Sequence, residues 1–160
     1  MNTALHLASK YRKAEVVAYL LKEFPEMMSF QNYASATALS LAITYDQSRT
    51  MELILQRSTD TGIDAGISTP DVTRLRPIHY AALDKSGEYM DILIRQKIPL
   101  EHGEDVEDMT PLHFAAIHGT TVHIQKLLDN GFSATRRTKD SQSALELAVK
   151  YVNWQTFRAL

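Results

Sequence analysis

Thr110-Pro111-Leu112-His113-Phe114-Ala115-Ala116-Ile117-His118-Gly119 is the stretch that decides how this chain is read. Threonine ahead of proline marks a helix start. The hydroxyl can accept from an open backbone N–H, and proline suits the first helical position, where no N–H is needed. His118-Gly119 is the matching stop, with glycine expected to supply a left-handed turn.

The stretch has four counterparts. Thr3-Ala4-Leu5-His6-Leu7-Ala8, Thr37-Ala38-Leu39-Ser40-Leu41-Ala42, Arg76-Pro77-Ile78-His79-Tyr80-Ala81 and Ser143-Ala144-Leu145-Glu146-Leu147-Ala148 repeat its pattern. The copies start at positions 3, 37, 76, 110 and 143, so successive starts stand 34, 39, 34 and 33 apart. A recurrence at one period signals a stack of equivalent units. Aligned on their starts, the copies carry an aliphatic column (Leu5, Leu39, Ile78, Leu112, Leu145) and a large apolar one (Leu7, Leu41, Tyr80, Phe114, Leu147). Between them and the next helix every copy has alanine: Ala8, Ala42, Ala81, Ala115 and Ala148. A small residue at that place in every copy implies that another helix backbone passes close by. Further on come Val17, Met51, Met90, Ile124 and Phe157, then Leu20, Ile54, Leu93, Leu127 and Leu160, then Leu21, Leu55, Ile94 and Leu128. Their offsets of three and four trace the buried stripe of a helix. Each unit therefore reads as a short helix, a tight turn and a longer helix. Polar turn segments such as Asp129-Asn130-Gly131 separate one unit from the next.

Thr110-Pro111-Leu112-His113 with Ala115-Ala116, Gly119, Leu127-Leu128 and Gly131 closely resembles the ankyrin repeat. That repeat is a helix pair plus a hairpin finger, about 33 residues in all. The resemblance implies an all-α solenoid of stacked helix-turn-helix units with hairpin fingers. It covers the chain as one domain, with repeats at approximately 1–33, 34–72, 73–106 and 107–139 and an incomplete one at 140–160. Repeat four holds nearly the whole motif. Ala4, Ala38 and Ala144 replace the proline, Ser40 and Glu146 replace the histidine, and repeat three begins with Arg76. These departures lower the expected stability of single units while the buried columns stay intact. By resemblance, His6, His79 and His113 are structural, each ring bridging backbone groups of neighbouring loops.

Met1 leads straight into the first helix, and Leu160 stops inside the second helix of the fifth unit. Solenoid ends normally carry a polar outer face, so the expectation is a piece of a longer protein. The spacing of 39 places a short insertion in Ser58–Thr73. It is expected to form an elongated, solvent-facing finger. Met27-Met28, with Phe30, follow Pro25 and are expected to fold onto the neighbouring helix rather than form a binding surface.

Composition narrows the function. The chain has 160 residues, 44% apolar and 22% charged, with a net charge of −2. Those values suit one globular domain or one run of repeats. The charge argues against a nucleic-acid partner. The apolar run Val16–Leu21 is far short of a membrane span. No secretory signal and no Asn-x-Ser/Thr acceptor is visible, so the expected location is cytoplasmic. The absence of cysteine removes disulfides, thiolate zinc sites and cysteine nucleophiles. His113, His118 and His123 fall on different helix faces and do not make a metal site. No catalytic or phosphate-binding motif is present. The expectation is a non-enzyme without cofactor or metal, monomeric as a domain.

Two features point to binding. Glu101, Glu104, Asp105, Glu107 and Asp108 charge one finger negatively, while Arg136, Arg137 and Lys139 charge the next positively. This pattern reads first as mutual support and second as a polarised surface that orients a partner. In the resembled family, positions just after the first helix and on the fingers face a concave groove. Tyr11, Tyr45, Leu83, Asp84, Ile117, His118 and Tyr151 occupy the first set, with Tyr33, Leu75 and Met109 on the fingers. Tyrosine covers a large area at low entropic cost and is enriched where binding energy concentrates. The expected function is protein or peptide recognition by these residues. The alternative is a regulatory or substrate-targeting domain of a larger enzyme, channel or bacterial effector.

Overall fold

The computed structural model describes residues 1–95 and 107–160; Glu101, Glu104, Asp105 and Val106 lie outside the described residues. Backbone contacts gather the chain into two compact units, Met1–Val72 and Thr73–Leu160. The first unit contains α1 (Ala4–Lys10), α2 (Ala14–Glu23), a 3-10 turn (Pro25–Ser29), α3 (Ala38–Thr44) and α4 (Ser48–Thr61). The second contains α5 (Pro77–Leu83), α6 (Glu88–Arg95), α7 (Pro111–His118), α8 (Thr121–Asp129), α9 (Ala144–Lys150) and α10 (Trp154–Phe157). Among the described residues the only extended pairing is an isolated antiparallel bridge between Arg137 and Ser143.

In the first unit α1 packs on α3 and α2 on α4, while α5, α7 and α9 pack in succession in the second. The alanine column lies in these contacts: Ala42, Ala81, Ala115 and Ala148 are fully buried and Ala8 is 5% exposed. Leu5, Leu39, Ile78 and Leu112 fill the space beside it, and Val17, Met51, Met90 and Ile124 seal the second helices. Each such side chain contributes about 1.5–3 kcal/mol on burial. Leu145 breaks the aliphatic column at 41% exposure, because no described helix packs on the far side of α9. Leu7 is likewise exposed, and Phe157 and Leu160 are half-buried at the short α10.

The first helices share one N-terminal device built from different residues. In α1 the Thr3 N–H and hydroxyl donate to His6 Nδ1 at 3.2 and 2.8 Å. That fixes the proton on Nε2, which donates to the Ala36 carbonyl at 3.0 Å. In α7 the Thr110 N–H and hydroxyl meet His113 Nδ1 at 3.0 and 2.9 Å, and Nε2 donates to the Arg136 carbonyl at 3.1 Å. Arg76 N–H donates to His79 Nδ1 at 3.1 Å. Where histidine is missing, Ser40 Oγ accepts from Thr37 N–H at 3.0 Å and Glu146 Oε2 from Ser143 N–H at 2.6 Å. Ser40 closes the cap but is too short to reach the neighbouring loop as the imidazole does, while Glu146 closes the cap and also accepts from Arg137 at 3.1 Å.

Gly119 departs from expectation. It ends α7 in extended backbone (φ −81°, ψ −164°), not in the left-handed region. Glycine is required there for space: a Cβ would lie 2.6 Å from the Ala115 carbonyl oxygen. The left-handed residues after first helices are instead Arg12, Asp46 and Val152, at φ 57°, 57° and 56°. A second left-handed set, Ser35, Arg74, Asp108 and Ser141, sits two residues ahead of each following motif.

The Ser58–Thr73 insertion also differs from a projecting finger. Part of it lengthens α4, which runs to Thr61 and closes on Gly62 (φ 71°) with a bond from Gly62 N–H to the Ser58 carbonyl at 2.8 Å. Ala65 is then fully buried, and Gly66 lies so close to α3 that a Cβ would stand 2.5 Å from Thr37 Cγ2. The surplus residues are absorbed in two ways: the longer helix pairs its own backbone groups, and Ala65 takes its methyl out of water. Met28 is fully buried beneath the 3-10 turn, as expected for that segment, whereas Phe30 remains 46% exposed.

Candidate functional site

The residues singled out for binding fall into two clusters, one in each unit, and several outliers. In the first unit α1 ends at Lys10, and the left-handed Arg12 turns the chain into α2. α3 ends in the same way at Tyr45 and Asp46. This parallel places Lys10 Nζ 5.4 Å from the Tyr11 ring centre and 4.8 Å from the Tyr45 ring centre. Such cation–π contacts contribute about 0.5–1 kcal/mol at exposed sites. Interaction with the Tyr45 phenol, then with Tyr11, holds the Lys10 ammonium above the usual lysine pKa range. Both rings stay open to solvent, Tyr11 at 59% and Tyr45 at 41%. Beside them Arg12 pairs with Asp46 at 3.6 Å.

The second cluster is a cleft of about 240 Å³ lined by Met109 and Ile117, with Leu147 and Tyr151 from α9 and its end. Glu107, Thr138, Lys139, Asp140, Gln142 and Lys150 complete it. The fingers on either side are tied by a bond from Lys139 N–H to the Glu107 carbonyl at 2.8 Å. Lys150 reaches across, donating to Gln142 Oε1 at 3.2 Å while lying 5.7 Å from the Tyr151 ring centre. A lysine-tyrosine pair at the end of a first helix thus recurs in repeats one and five.

The other expected residues stand elsewhere. Tyr33 is 88% exposed in the turn of its finger. Leu75 and Leu83 are half-buried and line neither cluster. Asp84 serves its own turn, accepting from Ser86 N–H at 3.2 Å and from the Ser86 hydroxyl at 2.6 Å. His118 is exposed at the end of α7 and outside the cleft. Arg137 bonds Glu146 at 3.1 Å on its own side of the finger.

Sequence reading misses Leu147, Thr138 and Asp140 as cleft residues, and names Glu107 and Lys139 only as charges of the two fingers. It also misses the position thirteen after each start, Val16 in repeat one and Tyr89 in repeat three but polar in repeats two, four and five as Thr50, His123 and Thr156. All three are buried. Thr156 hydroxyl donates to the Ala116 carbonyl at 2.9 Å. His123 Nδ1 accepts from Thr120 N–H at 3.2 Å, and its buried Nε2 faces the Asp84 backbone without completing a hydrogen bond. Burial pushes the pKa of His123, like that of His6, below the ordinary histidine value.

Among the described residues no three histidine or acidic side chains converge to hold a metal ion. No described helix is long and apolar enough to cross a membrane.

Comparison with known proteins agrees with this architecture. The family model for ankyrin repeats in three copies matches residues 78–160, and the single ankyrin repeat model matches residues 1–26. Human inversin is 30% identical over 131 residues, covering 78% of this chain and 12% of inversin. The putative ankyrin repeat protein FPV223 of fowlpox virus is 25% identical over 138 residues, 86% of this chain and 92% of that protein. The tyrosine-protein kinase Shark of Drosophila melanogaster is 27% identical over 149 residues, 92% of this chain and 15% of the kinase. The chain thus spans about an eighth of the length of the inversins it matches. With the repeat pattern matched over more than half of its residues and built into its helices, the chain belongs to the ankyrin repeat family.

Proposed function

We propose that the chain is a non-catalytic, cytoplasmic protein-interaction module that binds a partner protein or peptide through the ends of its first helices and its fingers, the face that is concave in this family. Ankyrin repeats are in general protein-interaction modules, and fold alone does not name a partner. The observation that carries the reading is the exposed Tyr11–Lys10–Tyr45 arrangement, large aromatic area held in place yet not required by the core. The Met109–Ile117–Tyr151 cleft supports it from the second unit. Its lining mixes apolar side chains with polar and charged ones able to fix an anchoring side chain of a partner.

The test is capture from cytosolic lysate by the wild-type chain, by Tyr45→Asp and by Ile117→Asp, with circular dichroism to verify folding. A protein retained by the wild type and lost with either variant supports the reading and assigns the contact to that unit. Equal retention by all three would move the contact to the outer helices and overturn it.

A second reading is a regulatory or substrate-targeting domain within a larger enzyme, channel or bacterial effector. It is favoured by the small share of inversin and of the Shark kinase that the chain covers. Cross-linking at Tyr45 in the whole protein tests it, since a regulatory domain gives products within one chain and a substrate-targeting domain gives products with the substrate of that same protein.

A further inference from the structure

We propose that the α1–α2 turn, with Lys10, Lys13, Tyr11 and Tyr45, docks a glutamate-rich acidic segment of the partner protein. This rests on the protein-binding function proposed above and adds the chemistry of what is bound.

Three basic residues, Lys10, Arg12 and Lys13, are gathered in four positions at the end of α1. Arg12 is engaged by Asp46 at 3.6 Å. Lys10 and Lys13 have no carboxylate partner among the described residues; Lys13 is exposed, and Lys10 contacts the two phenol rings. A cation over a ring face keeps N–H donors directed away from that face, so a carboxylate approaching Lys10 from solvent displaces water rather than a protein partner. Hydrogen bonds between ammonium and carboxylate are among the stronger ones available.

The surroundings select the kind of anion. Exposed rings at 59% and 41% accessibility offer apolar area on both sides of the ammonium. Glutamate carries two methylenes below its carboxylate, which can lie along a ring while the carboxylate meets Lys10. A bare phosphate backbone leaves that area uncovered. The chain as a whole carries −2, whereas here Lys10, Arg12 and Lys13 outnumber Asp46 and Glu15, so this turn is a modest local positive site on an anionic chain. Such a contrast favours an acidic segment at this place over others. The cleft of the second unit lacks that bias, because Lys139 and Lys150 share it with Glu107 and Asp140.

The experiment uses the full 160-residue chain and a fluorescein-labelled oligoglutamate peptide, followed by fluorescence anisotropy. The expected result is saturable binding that weakens as salt rises from about 50 to 200 mM. Lys10→Ala/Lys13→Ala is expected to lose about tenfold in affinity, close to 1.4 kcal/mol. Lys22→Ala/Lys85→Ala, with the same change in net charge, is expected to bind as the wild type does. Lys13, Lys22 and Lys85 are exposed and Lys10 is half-buried, and circular dichroism checks that both variants fold. Absence of binding, equal loss in the two double variants, or a single-stranded oligonucleotide competing as well as the peptide would each overturn the proposal. The two failures are separable. If Lys10→Ala/Lys13→Ala still captures the protein that Tyr45→Asp loses, the interaction function stands and the acidic segment falls.

Discussion

Repeats one, two and five turn from first to second helix in one way, and repeats three and four in another. In the first group a tyrosine ends the helix, a left-handed residue follows, and the next N–H returns to the buried alanine. These bonds are Lys13 to Ala8 at 3.2 Å, Gln47 to Ala42 at 2.8 Å and Asn153 to Ala148 at 2.8 Å. In the second group Asp84 folds its carboxylate onto Ser86 ahead of Gly87 (φ 76°), and Gly119 passes in extended form directly against Ala115. The helix pair is the same in both. Packing between helices therefore sets the geometry, and turn chemistry follows whatever residues are at hand. Strain replaces glycine in one group, and close approach demands glycine in the other.

The largest test of that division is Gly119→Ala. Its φ is ordinary, so the cost is the collision with Ala115. A loss of about 2–3 kcal/mol is expected in urea denaturation. An unchanged midpoint would show that the turn can widen freely and would dissolve the distinction.

Acid gives the next test. Repeat four anchors the start of α8 through His123, where repeat five uses Asn153 Oδ1 to accept from Thr156 N–H. His123 and His6 have folded pKa values below the unfolded histidine value of about 6.5. The unfolded chain then binds more protons on acidification, so their contribution is present above about pH 6.5 and is lost as pH falls through the folded values. Melting temperature is expected to fall by a few degrees between about pH 7.5 and pH 5. His123→Thr should flatten that dependence; a slope unchanged by it would remove His123 from the comparison.

Val152 is the sharpest probe of strain. It is a β-branched residue at φ 56°, and at 64% exposure little packing is lost on replacing it. The left-handed conformation costs such a residue about 1–2 kcal/mol. Val152→Asn is expected to stabilise by about 1 kcal/mol in the same denaturation assay, since asparagine tolerates that region. No gain would mean that the junction relaxes without cost. The smallest effect is expected for Asp46→Asn, which keeps a residue tolerant of the left-handed region while removing the exposed pair with Arg12. A midpoint shift above about 0.5 kcal/mol would show that the tyrosine junctions depend on that charge.

These contrasts also mark what can be read from sequence. Leu39, Ile78, Leu112 and the alanines are legible because each has one role, burial, and recurs at one spacing. Gly119 misleads because the same letter serves two needs, a left-handed φ and a missing Cβ, and only the position of the Ala115 carbonyl tells them apart. The insertion misleads because polarity along Thr59–Asp64 does not reveal that Ala65 is buried and Gly66 lies against Thr37. Of the expected contact residues, Tyr11 and Tyr45 form one cluster and Met109, Ile117 and Tyr151 another. Asp84 is taken by its own turn, since a short carboxylate two residues ahead of a serine is satisfied locally. His123 is weighed from sequence only as a metal ligand, because a polar residue on a buried stripe does not show its capping bond to Thr120 until the backbone is in view.

The alanine column has a consequence for how such a chain can change. Its copies differ from one another at the proline, the histidine and the turn, and those differences change hydrogen bonds within a loop or, for the histidine, one bond to the next loop. At the alanines they do not differ at all. A larger side chain there would alter the distance between two helix axes, and with it the seating of whatever stacks beyond. Divergence among the copies has therefore had wide latitude in hydrogen bonding and almost none in helix spacing, so the spacing is the trait by which a further, more eroded copy would be known.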